Sequence, residues 1–151
     1  MVMTLERTSA RIILTDDDAD DRSFFNEAFS EMQMQGELQT FSDGKELMDY
    51  LHSSVIPPDV VILDLNMPRK SGFECIEEIR SDSRFSHTSI AVYSTSSSDK
   101  DIEATFNSGA NLYIKKPSDY GILKKVIRTI LGRDWSSGSP GHNRESYLLR
   151  L

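Results

Sequence analysis

Apolar residues fall along the chain in short continuous runs, separated by stretches in which they recur every three or four positions. The first run, Ile12-Ile13-Leu14-Thr15, stops on Asp16-Asp17-Asp18. Phe24, Phe25, Ala28, Phe29 and Met32 follow at helical spacing, with Gly36 as the stop. Residues 38–41 predict a second strand. Ser42-Asp43-Gly44 with Glu46 signals a helix start, and Leu47, Met48 and Leu51 are that helix's apolar positions before Pro57-Pro58 ends the connection. Val60–Leu63 is apolar at every position and closes on Asp64; a turn at Asn66-Met67-Pro68 then leads into a helix from Gly72 with Phe73, Ile76 and Ile79 on one face. Residues 90–93 predict a fourth strand, running into the hydroxyl cluster Ser94-Thr95-Ser96-Ser97-Ser98. Residues 99–108 predict a helix that closes at Gly109 and has Ile102 and Phe106 as nearly its only large apolar residues. A fifth strand spans 112–115. Ser118 is placed to cap the last helix, whose wide stripe is Ile122, Leu123, Val126, Ile127, Ile130 and Leu131.

Five strand–helix units in strict alternation predict an α/β fold, because parallel strands need crossover connections and helices then cover both faces of the sheet. The uninterrupted apolar run at 60–63 is the habit of a central strand covered on both sides. In such a sheet the carboxyl ends of all strands share one rim, so Asp16 and Asp17, Asp64, Ser94 and Lys116 are expected together there. Past Gly132 the composition shifts to Ser, Gly, Pro, Asn and Arg, which divides the chain into one domain over 11–131 and a tail over 132–151. Trp135 and the apolar end Tyr147-Leu148-Leu149-Arg150-Leu151 give that tail the means to act as a dimer or docking arm.

Charge narrows the partners. Seventeen Lys and Arg against 24 Asp and Glu leave a formal net charge of −7, which disfavours sequence-independent binding to nucleic acid or to an anionic membrane. The single cysteine, Cys75, rules out an internal disulfide, the N-terminus has no uninterrupted apolar run of signal-peptide type, and no stretch approaches the ~20 apolar residues of a membrane span. A cytoplasmic location is expected. His52, His87 and His142 lack metal-ligand spacing and are expected at the surface, as is the basic face of Lys124, Lys125 and Arg128.

Three carboxylates in one pocket repel. At about 4 Å and an effective dielectric of about 20, each pair costs on the order of 4 kcal/mol, so pKa values must rise or a cation must be present. An all-oxygen site without His or Cys suits Mg²⁺, and a metal beside a lysine and a hydroxyl builds a place for a phosphoryl group. A calcium loop is the competing reading, since Asp16, Asp18, Asp20 and Glu27 fall on its positions 1, 3, 5 and 12. It fails at position 6, which is Asp21 rather than glycine, and at the strand-like residues 12–15 that precede it.

The segments IILTDDD, VVILDLNMPRKSG, AVYSTSS and YIKKP resemble the response-regulator receiver domain of two-component signalling, and the resemblance covers residues 11–131. The intervals of 30 residues from Asp64 to Ser94 and 22 from Ser94 to Lys116 also fit. The resemblance implies a five-stranded parallel sheet in order 2-1-3-4-5, doubly wound with five helices in the flavodoxin-like manner. It implies that Asp64 is the phospho-acceptor and that Mg²⁺ is held directly by Asp17, mainly through water by Asp16, and by Asp64 and the Asn66 backbone carbonyl. Ser94 would hydrogen-bond the phosphoryl group, Lys116 would pair with it, Tyr113 would be the switch aromatic, and Asn66 and Ser96 would tune the phosphoryl lifetime. Lys116-Pro117 resembles the family's cis-peptide. Two positions depart from the usual pattern: Ser94 stands where threonine is commoner, and Thr95 where alanine or glycine is usual, which implies a slowed reaction.

The function so implied is that of a single-domain, chemotaxis-regulator-like receiver, a protein that catalyses only its own phosphorylation and dephosphorylation. Its partners would be a sensor histidine kinase or a histidine phosphotransfer protein, together with a downstream target; some stand-alone receivers of this family serve phytochrome-like kinases, and a homodimer is among the assemblies implied. A phosphorelay shuttle is the alternative. Asp64-Leu65-Asn66 also invites comparison with aspartyl-phosphate phosphatases of the haloacid dehalogenase type, but these need a second aspartate two residues on as general acid, and Asn66 cannot serve.

Overall fold

The computed structural model describes residues 10–33, 35–53, 56–132 and 143–150. Five strands, β1 (Ala10–Thr15), β2 (Gly36–Phe41), β3 (Val60–Leu63), β4 (Ser89–Ser94) and β5 (Leu112–Lys115), alternate with helices α1 (Ala19–Glu31), α2 (Gly44–Ser53), α3 (Gly72–Arg80), α4 (Asp99–Asn107) and α5 (Tyr120–Leu131). The strands form one parallel sheet in the order β2-β1-β3-β4-β5. Side chains alternate across it. Ile13, Val61, Leu63, Ile90, Val92 and Tyr113 face one core with Leu47, Met48 and Leu51 of α2, Cys75, Ile76 and Ile79 of α3 and Ile102 of α4. Ile12, Leu14, Val60, Ile62, Ala91, Tyr93 and Ile114 face the other, closed by Phe25, Ala28 and Phe29 of α1 and Leu123, Val126, Ile127 and Ile130 of α5. Burial on both faces is why β3 reads as an unbroken apolar run.

Helix starts follow from local capping. Asp18 caps α1, Ser71 and Glu74 form a reciprocal capping box on α3, and Ser98 caps α4. Three local expectations are corrected. Gly36 does not stop α1 but opens β2; the turn is made by Gln33, whose φ of 52° lies in the left-handed region. Asp119, not Ser118, caps α5, accepting from the Gly121 amide at 2.8 Å. Ile122 is 41% exposed, because it lies about 100° around α5 from Leu123 and so falls off the buried stripe.

Gly109, with φ of +106°, closes α4 against the Arg80 side chain. At the C-terminal end, residues 143–150 lie against β5: the Tyr113 amide donates to the Tyr147 carbonyl at 2.8 Å and the Leu149 amide to the Tyr113 carbonyl at 2.9 Å, a parallel bridge at Leu148. Trp135 and His142 lie outside the described residues.

Candidate functional site

Register places the polar residues. Thr15 pairs with Leu63, and Leu63 with Val92, so Asp16 and Asp64 emerge side by side at the carboxyl rim where the strand order reverses, with Ser94 on the next strand. Backbone bonds fix them: the Asp16 amide donates to the Phe41 carbonyl at 3.1 Å, the Asp64 amide to the Thr15 carbonyl at 3.0 Å, and the Lys116 amide to the Ser94 carbonyl at 2.8 Å. Gly72 sets the loop after β3, because a Cβ there would come within 2.2 Å of the Asp64 carbonyl oxygen. Its amide donates to the Leu65 carbonyl at 2.9 Å.

Carboxylate oxygens of Asp16, Asp17 and Asp64 lie within 4.8 Å of one another. Asp16 is wholly buried and Asp64 is 7% exposed, whereas Asp17 faces solvent. Asp16 Oδ1 accepts from the Asp18 amide at 3.0 Å, and Asp64 Oδ1 from the Leu65 amide at 2.8 Å. Lys116 Nζ sits 2.7 Å from Asp16 Oδ2, 2.9 Å from Asp21 Oδ2 and 3.5 Å from Asp64 Oδ2. Asp16 Oδ2 is buried, with the Lys116 ammonium as its charged neighbour.

Electrostatics at the rim are strained. Burial pushes the Asp64 carboxyl up to about 6; Lys116 opposes that shift, and the charges of Asp16 and Asp17 add to it. Burial also raises Asp16, against the pull of Lys116. Burial works against the Lys116 ammonium too, yet its contacts with Asp16 and Asp21 hold its pKa above the usual lysine value. Three converging carboxylate oxygens, with no His or Cys among them, fit a small divalent cation.

Ser94 is buried at the end of β4, and its Oγ accepts from the Ser96 amide at 3.1 Å. Tyr113 is fully buried, its hydroxyl donating to the Ser96 carbonyl at 2.9 Å, and Ser96 Oγ donates to Asp101 of α4 at 2.8 Å. Asn66 and Thr95 are exposed beside the rim. The Lys116–Pro117 peptide is trans, contrary to the expectation above. A trans bond suffices here, since the Lys116 side chain reaches Asp16 from a backbone already anchored to Ser94.

The calcium-loop residues do not converge, because α1 begins at Ala19 and carries Asp20 and Glu27 within the helix, while Asp18 is spent capping it. Cys75 is buried, with its thiol pushed up to about 12 by burial, and is packing rather than a nucleophile. His52 and His87 are exposed, with His52 Nε2 2.7 Å from Glu78. Two contributors to the site escaped the sequence reading, Asp21 and Gly72. Asp21 had a weak signal, four residues beyond Asp17 in the same acidic stretch; Gly72 closes the segment VVILDLNMPRKSG at a helix start.

Comparison with known proteins settles the family. The profile of the response regulator receiver domain matches residues 12–128. The chain belongs to this family. Among relatives, the receiver is 28% identical over 123 residues to the probable methanogenesis regulatory protein FilR2 of Methanothrix harundinacea (strain 6Ac), covering 79% of each chain. Among solved structures, it matches the phosphorylated cyanobacterial phytochrome response regulator RcpA with a TM-score of 0.74 and 31% identity, over 82% of this chain and 91% of that one. It also matches RPA3017, a response regulator in red light signaling of R. palustris, with a TM-score of 0.76 and 27% identity, over 87% of this chain and 99% of that one. Receiver domains are signalling modules of two-component systems, and the acidic pocket of this one suits Mg²⁺. Among the described residues no helix is long and apolar enough to cross a membrane.

Proposed function

We propose that this receiver works in the cytoplasm as a single-domain response regulator that accepts a phosphoryl group on Asp64 from a histidine kinase and thereby alters a protein-binding surface. The observation that carries this reading is the convergence of Asp64, Asp16 and Asp17 with Lys116 on one rim. A carboxylate oxygen of Asp64 attacks the phosphorus held on a kinase histidine; the new P–O bond forms as the P–N bond breaks, and the imidazole leaves as the proton-accepting group. Asp64 Oδ1 is tied to the Leu65 amide, which leaves Oδ2, on the Lys116 side, for the attack. Mg²⁺ held by Asp17, Asp16, Asp64 and the Asn66 carbonyl would neutralise charge on the phosphoryl oxygens. Lys116 pairs with the phosphoryl group, Ser94 donates to it, and Thr95 narrows access for donor and water. Ser96 and Tyr113 carry the change from the rim to α4, since Ser96 bonds Asp101 and Tyr113 bonds Ser96.

Similarity to RcpA and RPA3017 supports a red-light or phytochrome-type sensor kinase as the donor class. Transfer from kinases carrying labelled phosphohistidine tests both levels. Wild type should gain label in Mg²⁺ and Asp64→Asn none; undiminished labelling of Asp64→Asn would remove the acceptor assignment, and transfer only from kinases of other stimulus classes would remove the partner assignment.

A further inference from the structure

The sheet ends at β5, and a terminal strand offers a row of backbone donors and acceptors that must be covered or paired. Residues 143–150 cover it. Both backbone groups of Tyr113 are taken up by the segment, one by the Tyr147 carbonyl and one by the Leu149 amide. Tyr147 is fully buried, its hydroxyl donating to Thr105 Oγ1 of α4 at 2.6 Å, and its ring lies 5.2 Å from Phe106 and 6.1 Å from Tyr113. Arg144 Nε donates to Glu103 Oε1 of α4 at 2.6 Å. Backbone pairing along an edge, with one side chain in a dedicated pocket and a charged pair at the rim, is how an extended peptide is recognised by strand addition.

On α4 the only buried residues are Ile102 and Thr105. Tyr147 packs between Phe106 of α4 and Tyr113 of β5 and fills the space beside Thr105. Thr105 Oγ1 already donates within its own helix, to the Asp101 carbonyl at 2.8 Å, so its remaining capacity is to accept, and an aromatic hydroxyl supplies the donor. Glu103 selects a basic residue three positions earlier, as Arg144 stands to Tyr147.

We propose that the β5 edge and the Thr105 pocket of α4 form a strand-addition site for an extended segment of a protein partner, with a basic residue, a tyrosine three positions on and apolar residues after it, and that residues 143–150 occupy this site in cis as a built-in competitor. A partner reaches the site by displacing the segment. This goes beyond the phosphoryl reading and does not use it, because the affinity can be measured with no phosphodonor present.

The test is fluorescence polarisation of a labelled peptide spanning residues 143–150, titrated with the full chain. Wild type should bind it weakly. Tyr147→Ala empties the pocket, and Leu149→Pro removes the amide that donates to Tyr113 without opening a buried hole; either should raise peptide affinity about tenfold or more, as expected when a tethered competitor at high effective concentration is removed. Thr105→Val placed in the Leu149→Pro chain should reverse that gain. Equal binding by wild type and both variants, or binding by none, would overturn the proposal. Sedimentation of the same samples must show monomers; a wild-type dimer that Leu149→Pro dissociates would assign the segment to a second copy and overturn the cis assignment.

Discussion

Val60, Val61, Ile62 and Leu63 are fully buried between two helical layers; the next residue, Asp64, is nearly as buried but carries a carboxyl whose pKa burial lifts to about 6. One residue separates a stretch that stabilises the fold from one that opposes it. Each apolar side chain of β3 removed from water contributes roughly 1.5–3 kcal/mol. At the rim, Asp16, Asp17 and Asp64 gather like charge around Lys116, a single cation against three carboxylates. The rim keeps its geometry because the strands beneath it are rigid. Its own contacts favour dispersal, and a cation held there would relieve that unfavourable grouping.

Substitutions in the two regions should therefore change stability in opposite directions. Ile62→Ala, in the interior, should lower the free energy of unfolding by about 2–5 kcal/mol in urea titration. A loss under about 1 kcal/mol would mean that β3 is not clamped from both faces. At the rim, Mg²⁺ should raise the melting temperature, by the equivalent of about 2.7 kcal/mol at a hundredfold excess over its dissociation constant, and Asp17→Asn should blunt the response. Melting curves indifferent to Mg²⁺ and to chelator would remove the metal from the site.

Asp64→Asn is the mirror image of Ile62→Ala. In metal-free solution at neutral pH it should stabilise the protein by about 1–3 kcal/mol, since it removes a charge that the folded state holds at a disadvantage. The sign in pH follows. With its folded pKa raised to about 6 against about 3.9 unfolded, Asp64 binds its proton more firmly in the native state, so its own contribution to stability is full below about pH 4 and is lost as pH rises through about 6. Asp64→Asn should flatten that part of the curve. Equal slopes in the two proteins would place the titrating group elsewhere.

The same contrast explains what the sequence made legible. An interior strand is apolar at every position, so β3 has the bounds expected and Asp64 stands out as the first polar residue after it; Asp16 and Lys116 stand out as the residues that follow the strands at 12–15 and 112–115. Roles created by packing between distant segments leave no such mark. Asp21 meets Lys116 across 95 residues, and Gly72 matters only because α3 starts against the Asp64 carbonyl. Tyr147 follows a polar stretch that reads as tail, and its burial depends on a β5 edge that the local pattern does not announce. Where two neighbours can each cap a helix, as Ser118 and Asp119 can, only the path of the chain decides.

Tyr113 stands where the two regions meet, its ring in the apolar core and its hydroxyl on the Ser96 carbonyl beside Ser94. Tyr113→Phe keeps the ring and removes one hydrogen bond, so the expected loss is the smallest of the set, about 0.5–1.5 kcal/mol in urea unfolding. If the residue belonged only to the interior, that small loss would be the whole effect. Because Ser96 also holds Asp101 on α4, the substitution should in addition quicken hydrogen exchange at amides of the first turn of α4 while leaving α5 unchanged, since α5 is anchored separately by Leu123, Val126, Ile127 and Ile130. Exchange that quickened equally in both helices would show a general loss of stability, and exchange unchanged in α4 would show that the Tyr113 hydroxyl does not connect the rim to that helix.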